Sequence, residues 1–413
     1  MSEGDVSHSL VLAIFVFVYG GMMLGGVPGL VLDRTGVALL GAIALLVFQQ
    51  MNPADAWLAI DVPTMALLFG LMMVSAQLRL GGFYARVTRE LVAADWPPQV
   101  LLGAVIAAAG LLSAVLANDI VCLAMTPVLI DLCRRKGLQP VPFLIGLACA
   151  ANVGSAATLI GNPQNILIGQ TMHLSFTSYL WDAGPPALAG LALVWGIVAL
   201  QFRESWHCHA VHRRSELRAF DSWQTGKGLV ILTLLMLVFV LTDWPRDVAA
   251  VLAAGILLLS RRMATREMLG MVDWPLLVLF AGLFVVNAAM ARTGMLDQAF
   301  STMRSAGIAV EHPPILFGVT VALSNLVSNV PATMLLLPLA TGPLDGAVLA
   351  LASTLAGNLI IVGSIANIIV IEQAALEGIK IGWKMHARTG IPVTLATLAL
   401  AGLWLWLRFA ATG

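Results

Sequence analysis

The chain has 413 residues, of which 59% are hydrophobic and only 11% charged, against about 25% charged in an ordinary soluble domain. Its 22 basic and 22 acidic residues cancel, which excludes nucleic acid as an electrostatic partner. Four cysteines without CxxC spacing (Cys122, Cys133, Cys149, Cys208) suggest no disulfide framework. Cys122 and Cys149 lie in apolar runs, where a soft-ligand role is weighed against the plainer reading of a small apolar residue, which is favoured.

Apolar runs long enough to cross a bilayer recur along the whole chain, so the sequence predicts an all-α polytopic membrane protein. The N-terminal MSEGDVSHS has no basic n-region, and the first apolar run is expected to stay as a membrane helix. Spans are predicted near 10–28, 36–50, 63–79, 141–172, 183–202, 228–242, 247–260, 273–291, 347–376 and 390–408. Two runs, 98–133 and 312–341, are too long for one helix and polar at their centres; each is read as a re-entrant hairpin. With the N-terminus outside, every basic residue except Arg246, Arg292, Arg304 and Arg408 falls on the cytoplasmic side, as the positive-inside rule expects. Two full crossings in place of a hairpin give the same parity. The expected location is the cell inner membrane, with the lipid bilayer as solvent.

The halves share a weak internal repeat. DVP at Asp61 matches DWP at Asp273, and Gly82 matches Gly294 at the same offset. Ser113 to Pro127 aligns with Ser324 to Pro338, sharing Asn118/Asn329; GNPQNI from Gly161 aligns with GSIANI from Gly363, sharing Asn165/Asn367. The predicted layout inverts the second copy, an arrangement common in secondary transporters. The domain reading is a first repeat over 1–202, a cytoplasmic connector over 203–227 and a second repeat over 228–413. Each repeat has about five transmembrane helices, a re-entrant hairpin and a broken helix, at 141–172 and 347–376.

Polar residues inside these runs mark breaks. Non-helical backbone survives at membrane depth only where it is buried in protein or lines a cavity. Asn and Asp cap helix starts, and Pro opens a first turn. Breaks are therefore expected at Asn118, Asn162, Asn329 and Ser364. Half-helix N-termini attract anions without needing Lys or Arg. The candidate substrate and ion site comprises Asn118, Asp119, Thr158, Gly161, Asn162, Asn165, Ser328, Asn329, Gly363, Ser364 and Asn367. Asp119 is the one acid at these breaks, suited to carry a proton or ligate a cation. Against this stands the plainer reading that Asn, Gly and Pro pack or kink helices. Glu372 reads as a snorkelling helix-end acid. No catalytic group and no cofactor is expected. His207, Cys208, His209 and His212 in WHCHAVHRR are a weak zinc or nickel candidate; a solvated connector is the favoured reading.

ANDIVCLAMTP, ATLIGNPQNILIG, LSNLVSNVPATMLLLPLA and GNLIIVGSIANIIV together resemble the ion transporter superfamily of arsenite permeases, divalent anion/sodium symporters and sodium/proton antiporters. The resemblance covers nearly the whole chain. It implies two inverted repeats, a hairpin in each, a homodimer and an elevator-like movement. In the dicarboxylate branch each hairpin tip carries Ser-Asn-Thr, which helps bind sodium. Here the tips read Ala117-Asn118-Asp119 and Ser328-Asn329-Val330, and the Asn-Asp pair resembles the arsenite permease branch more closely. The expected function is secondary transport of a small inorganic anion or oxyanion (arsenite-like, phosphate or sulfate), coupled to protons through Asp119. The alternatives are a sodium/proton antiporter of the same fold, or a sodium-coupled di- or tricarboxylate symporter. An intramembrane protease would need a nucleophile and base in reach, and the chain has no HExxH or GxSxG.

Overall fold

A computed structural model describes residues 3–27, 29–207, 220–260 and 262–412. The first half runs α1 (Glu3–Leu24), α2 (Arg34–Val47), α3 (Pro53–Ala59), α4 (Val62–Leu80), α5 (Phe83–Ala93), α6 (Pro98–Val115), α7 (Asn118–Arg135), α8 (Pro140–Ser155), α9 (Pro163–Thr171) and α10 (Phe176–Gln201). The second half runs α11 (Ser222–Leu241), α12 (Arg246–Leu258), α13 (Thr265–Leu269), α14 (Trp274–Arg292), α15 (Met295–Ser305), α16 (Pro313–Val327), α17 (Asn329–Leu336), α18 (Asp345–Ala356), α19 (Ile365–Leu376) and α20 (Trp383–Thr412).

The two series match element by element in order. Asp61 caps α4 by accepting from Thr64 N at 2.9 Å, and Asp273 caps α14 by accepting from Leu276 N at 3.0 Å. Gly82 and Gly294 turn the chain into α5 and α15 in the left-handed region, at φ 77° and 69°, where a side chain would be strained. Packing pairs also recur on exchanging the halves. α4 packs on α12 as α14 packs on α2; α6 on α8 as α16 on α18; and α7 on α19 as α17 on α9.

Among the described residues, seven helices (α1, α4, α6, α10, α11, α14 and α20) are long and apolar enough to cross a membrane. The sequence led to ten spans, two of them broken, besides two hairpin runs. Six of the ten are among these seven helices, the seventh, α6, lies in the hairpin run 98–133, and the other four are short or split. Helices α2 and α12 have 14 and 13 residues, and the runs at 141–172 and 347–376 are each split into two short helices. α10 begins seven residues earlier than predicted because Ser175 caps it and the helix continues through Pro185 and Pro186. Proline is tolerated in a membrane helix whose freed backbone groups find other partners.

Candidate functional site

The chain breaks at four places. The turn between α6 and α7 is Leu116-Ala117, and that between α16 and α17 is the single residue Ser328, at φ 80° and ψ 162°. Residues 156–162 separate α8 from α9, and 357–364 separate α18 from α19. Asn162 accepts from Asn165 N at 2.9 Å and Ser364 from Ala366 N at 3.2 Å, so both cap their half-helices. Asn118 and Asn329, expected from sequence to be caps, are not: each is the first residue of its helix and sends its side chain elsewhere.

Each hairpin-tip asparagine instead holds the glycine of a broken helix. Asn118 donates its backbone N–H to Gly161 O at 3.3 Å. Asn329, its amide oriented by its neighbours, donates to Gly363 O at 3.2 Å and Ser353 O at 3.0 Å. Thr158 turns back to donate to the carbonyl of Ala114 in α6. In both halves a later asparagine ties the broken loop together. Asn165 donates to Ser155 O (3.3 Å) and Thr158 O (2.9 Å); Asn367 donates to Gly357 O (2.8 Å) and Ile360 O (3.3 Å). Each amide nitrogen thereby ties down two backbone carbonyls, and that of Asn165 also reaches the Tyr179 hydroxyl at 3.1 Å.

The polar clusters of the two halves meet through residues the sequence did not single out. Asn152, buried in α8, accepts from Asn118 Nδ2 at 3.3 Å and Ser364 Oγ at 2.8 Å. It donates to Asn358 Oδ1 at 2.8 Å and Asn367 Oδ1 at 3.3 Å. Thr354 in α18 accepts from Asn162 Nδ2 and Gln164 Nε2, both at 3.1 Å. A lone Asn or Thr inside an apolar helix was the available signal, and no motif surrounds either.

Asp119, in the first turn of α7, makes no hydrogen bond or ion pair with a described residue. It lines a cavity of about 30 Å³ with Asp273, Asn162, Pro163 and apolar side chains of α4 and α9. No Lys or Arg is among the lining residues. That volume takes one water or a bare ion. Of the other predicted site residues only Asn162 lines it; Asn118, Thr158, Gly161 and Asn165 of the first half and Ser328, Asn329, Gly363, Ser364 and Asn367 of the second do not, and Ser364 and Asn367 bond Asn152 instead. Elsewhere, Cys208, His209 and His212 lie outside the described residues, and His207 pairs with Leu138 as an isolated bridge. Among the described residues no three His, Cys, Asp or Glu gather as a metal site.

A multi-pass helical bundle whose helices break around a half-buried carboxylate and a cluster of buried amides has the makings of a secondary transporter. Residues 11–356 match the citrate transporter (CitMHS) family model, and the chain belongs to that family. It is 31% identical to the inner membrane protein YbiR of Escherichia coli, over 86% of this chain and 91% of YbiR. It is 28% identical to a 46 kDa membrane protein of Mycobacterium leprae, over 97% and 99% of the two chains. It is also 28% identical to the silicon efflux transporter LSI3 of rice, over 91% and 92%. The solved structure of the Alcanivorax borkumensis YdaH transporter shares the fold, with a TM-score of 0.59 at 14% identity, covering 98% of each chain.

The protein is therefore a polytopic transporter of the inner or plasma membrane, not an enzyme. The family match also corrects the branch. The Asn118-Asp119 pair pointed to arsenite permeases, but the match over residues 11–356 is to citrate transporters, and a single dipeptide carries less than that length of chain.

Proposed function

We propose that this chain is a cation-coupled transporter of a small carboxylate anion of the di- or tricarboxylate class, with Asp119 as the coupling carboxylate. The observation that carries the reading is the cavity lined by Asp119, Asp273 and the start of α9 at Asn162 and Pro163, which has two carboxylates but no basic side chain. A multiply charged anion entering such a place needs a cation with it, either sodium or a proton. Membership of a citrate transporter family supplies the substrate class. The inorganic oxyanion of the sequence reading gives way to it.

In this proposal residues 1–202 and 228–413 are inverted repeats joined by the connector, and the runs 98–133 and 312–341 are re-entrant hairpins. The protein works as a homodimer, moving its substrate by an elevator-like displacement. A cavity of about 30 Å³ is too small for a tricarboxylate, so substrate enters when α4 or α14 moves away from the α6–α7 turn. The site residues of each half then act in two ways. Asn118, Asp119, Asn162, Ser328, Asn329 and Ser364 face substrate and ion, while Thr158, Gly161, Asn165, Gly363 and Asn367 shape the loops that present them.

The test is uptake of radiolabelled citrate and succinate into proteoliposomes, with sodium and proton gradients imposed separately and silicate and phosphate as comparison solutes. Accumulation of a carboxylate driven by one of the gradients is expected. Carboxylates inert under every gradient, with silicate or phosphate transported, would overturn the substrate class. Sodium dissipating a proton gradient with no anion present would overturn anion transport altogether.

A further inference from the structure

Helices α11 and α12 pack side by side and leave two cavities along one seam, neither of them lined by Asp119 or another of the predicted site residues. The first, of about 350 Å³, lies at the start of α11 and is lined by Trp223, Gln224, Lys227, Leu259, Ser260 and Arg262. The second, of about 400 Å³, is an apolar groove along the same two helices, from Ile231 to Leu241 on one side and from Ile256 to Ala249 on the other.

The register makes them one feature. Lys227, Ile231, Leu234 and Val238 follow one another at helical steps on α11, while Leu259, Ile256, Leu252 and Ala249 descend α12 in the opposite sense. The groove starts about 6 Å, one turn, below Lys227 and continues for roughly 15 Å to Leu241, at 1.5 Å per residue. That is the depth of one leaflet, half of a hydrocarbon core of about 30 Å. Ala249 and Ala253 are buried and form its floor, and Leu234, Leu241 and Leu252 stand exposed along its rim.

The upper cavity is built for an anion. The Lys227 ammonium donates to Leu257 O and Leu259 O, both at 3.1 Å, which fixes it against the end of α12 and leaves one of its three protons over. The Ser260 hydroxyl accepts from Arg262 N (3.3 Å) and Met263 N (3.1 Å), so its own proton points away from that turn. Arg262 is exposed and makes no ion pair with a described carboxylate. Trp223, 69% exposed, stands where an indole sits at a membrane interface. A basic cavity at the polar end of a one-leaflet apolar groove matches the two halves of a single amphiphile.

We propose that the α11–α12 seam is a binding site for one anionic phospholipid, its phosphate held by Lys227, Arg262 and Ser260 and one acyl chain laid in the groove over Ala249 and Ala253. The charge complementarity selects an anionic over a zwitterionic headgroup. The same phosphate chemistry is offered by free inorganic phosphate, which the groove does not favour.

Native mass spectrometry of the full chain, released from detergent with added phosphatidylglycerol, phosphatidylcholine or inorganic phosphate, tests this. Phosphatidylglycerol should be retained, and Arg262→Gln should weaken it about five-fold, the share of one basic residue at an anionic surface. Ala253→Trp, which fills the groove and leaves the basic cavity intact, should also release the lipid. Lys227→Gln risks the end of α12, so the other two variants carry the test. Equal retention of phosphatidylcholine, or retention unchanged in both variants, would overturn the proposal. So would inorganic phosphate binding as tightly as the lipid, which reassigns the cavity to a soluble anion. Efficient Leu234→Cys to Leu252→Cys cross-linking between two chains in liposomes would also overturn it, because a second copy would then cover the seam.

Discussion

Asn165 and Asn367 do the same task at corresponding places in the two halves. Each is fully buried in the half-helix that follows a break, and each donates to two backbone carbonyls at or before that break, Ser155 and Thr158 in one case and Gly357 and Ile360 in the other. The spacing is identical, ten and seven residues back. An unwound loop inside a membrane protein must satisfy its carbonyls somewhere, and here one side chain per loop does so. Replacement by Ala leaves buried acceptors short of a donor, at a cost of about 1–3 kcal/mol. Asn165→Ala and Asn367→Ala should therefore lower thermal stability by comparable amounts, measured by melting in the same detergent. A large loss in one and none in the other would refute the equivalence.

Asp119 should behave in the opposite way. It has no described hydrogen-bond or ion-pair partner, so Asp119→Asn removes charge without removing a structural contact. Melting temperature and expression should stay close to those of the parent chain, while cation-driven carboxylate uptake is lost. Uptake that keeps its sodium or proton dependence in Asp119→Asn would take the coupling role away from this residue.

The sequence was informative where physics leaves a mark in residue type. Gly161, Asn162 and Pro163 gave the first broken helix, because a break needs a capping side chain and a residue that opens the next turn, and the alignment of GSIANI with GNPQNI carried the break to Ser364. It misled at Asn118 and Asn329. An asparagine at a helix start can cap its own helix or reach a neighbour, and the choice depends on the tertiary partners, Asn152 and Gly363. It was silent on Asn152 and Thr354, since a single polar residue in an apolar helix looks the same whether it packs, bridges or binds. The transporter branch was misread for a related reason. Two hairpin-tip residues were asked to decide what only the length of the chain resolves.

Asn152 provides a test of how the two halves are joined. It accepts from Asn118 and Ser364 and donates to Asn358 and Asn367, so four residues from three segments, α7, the 357–364 break and α19, depend on one side chain. Asn152→Ala should cost more stability than either Asn165→Ala or Asn367→Ala. In a double-mutant cycle with Ser364→Ala it should be non-additive by about 0.5–3 kcal/mol, as contacting residues are. Additive losses would show that the bridge contributes nothing beyond packing.

Outside the membrane, Asp55 pairs with Arg292 at 2.6 Å, joining α3 to the end of α14. The hydrogen bond from Arg292 holds the Asp55 carboxyl below the usual carboxylate range. A depressed folded-state pKa contributes stability above the unfolded value, about 3.9 for Asp, and that contribution is lost as pH falls through the folded value. The melting difference between the parent chain and Asp55→Asn should thus be constant from pH 6 to 8 (values of about two or more units above that pKa) and shrink below about pH 4. It should also shrink at high salt, since both groups are accessible to solvent. A difference that grows on acidification would have the wrong sign for this pair.

Gly161 and Gly363 occupy matching positions in the two breaks, yet the structure gives them unequal freedom. A Cβ on Gly161 would stand 2.3 Å from Ser155 O and 2.7 Å from Ser113 O, so the loop passes against the end of α8 and the backbone of α6 with no room for a methyl group. At Gly363 the nearest atom would be Gly357 O at 3.1 Å, which a shift of a few tenths of an ångström relieves. Overpacking that must move backbone costs about 1–3 kcal/mol or more. Gly161→Ala should therefore push the first break out of place, lower stability and abolish transport. Gly363→Ala should retain most of both, read by melting and by carboxylate uptake on the same preparations. Equal tolerance at the two positions would mean that the α6–α8 contact yields more readily than its close approach implies.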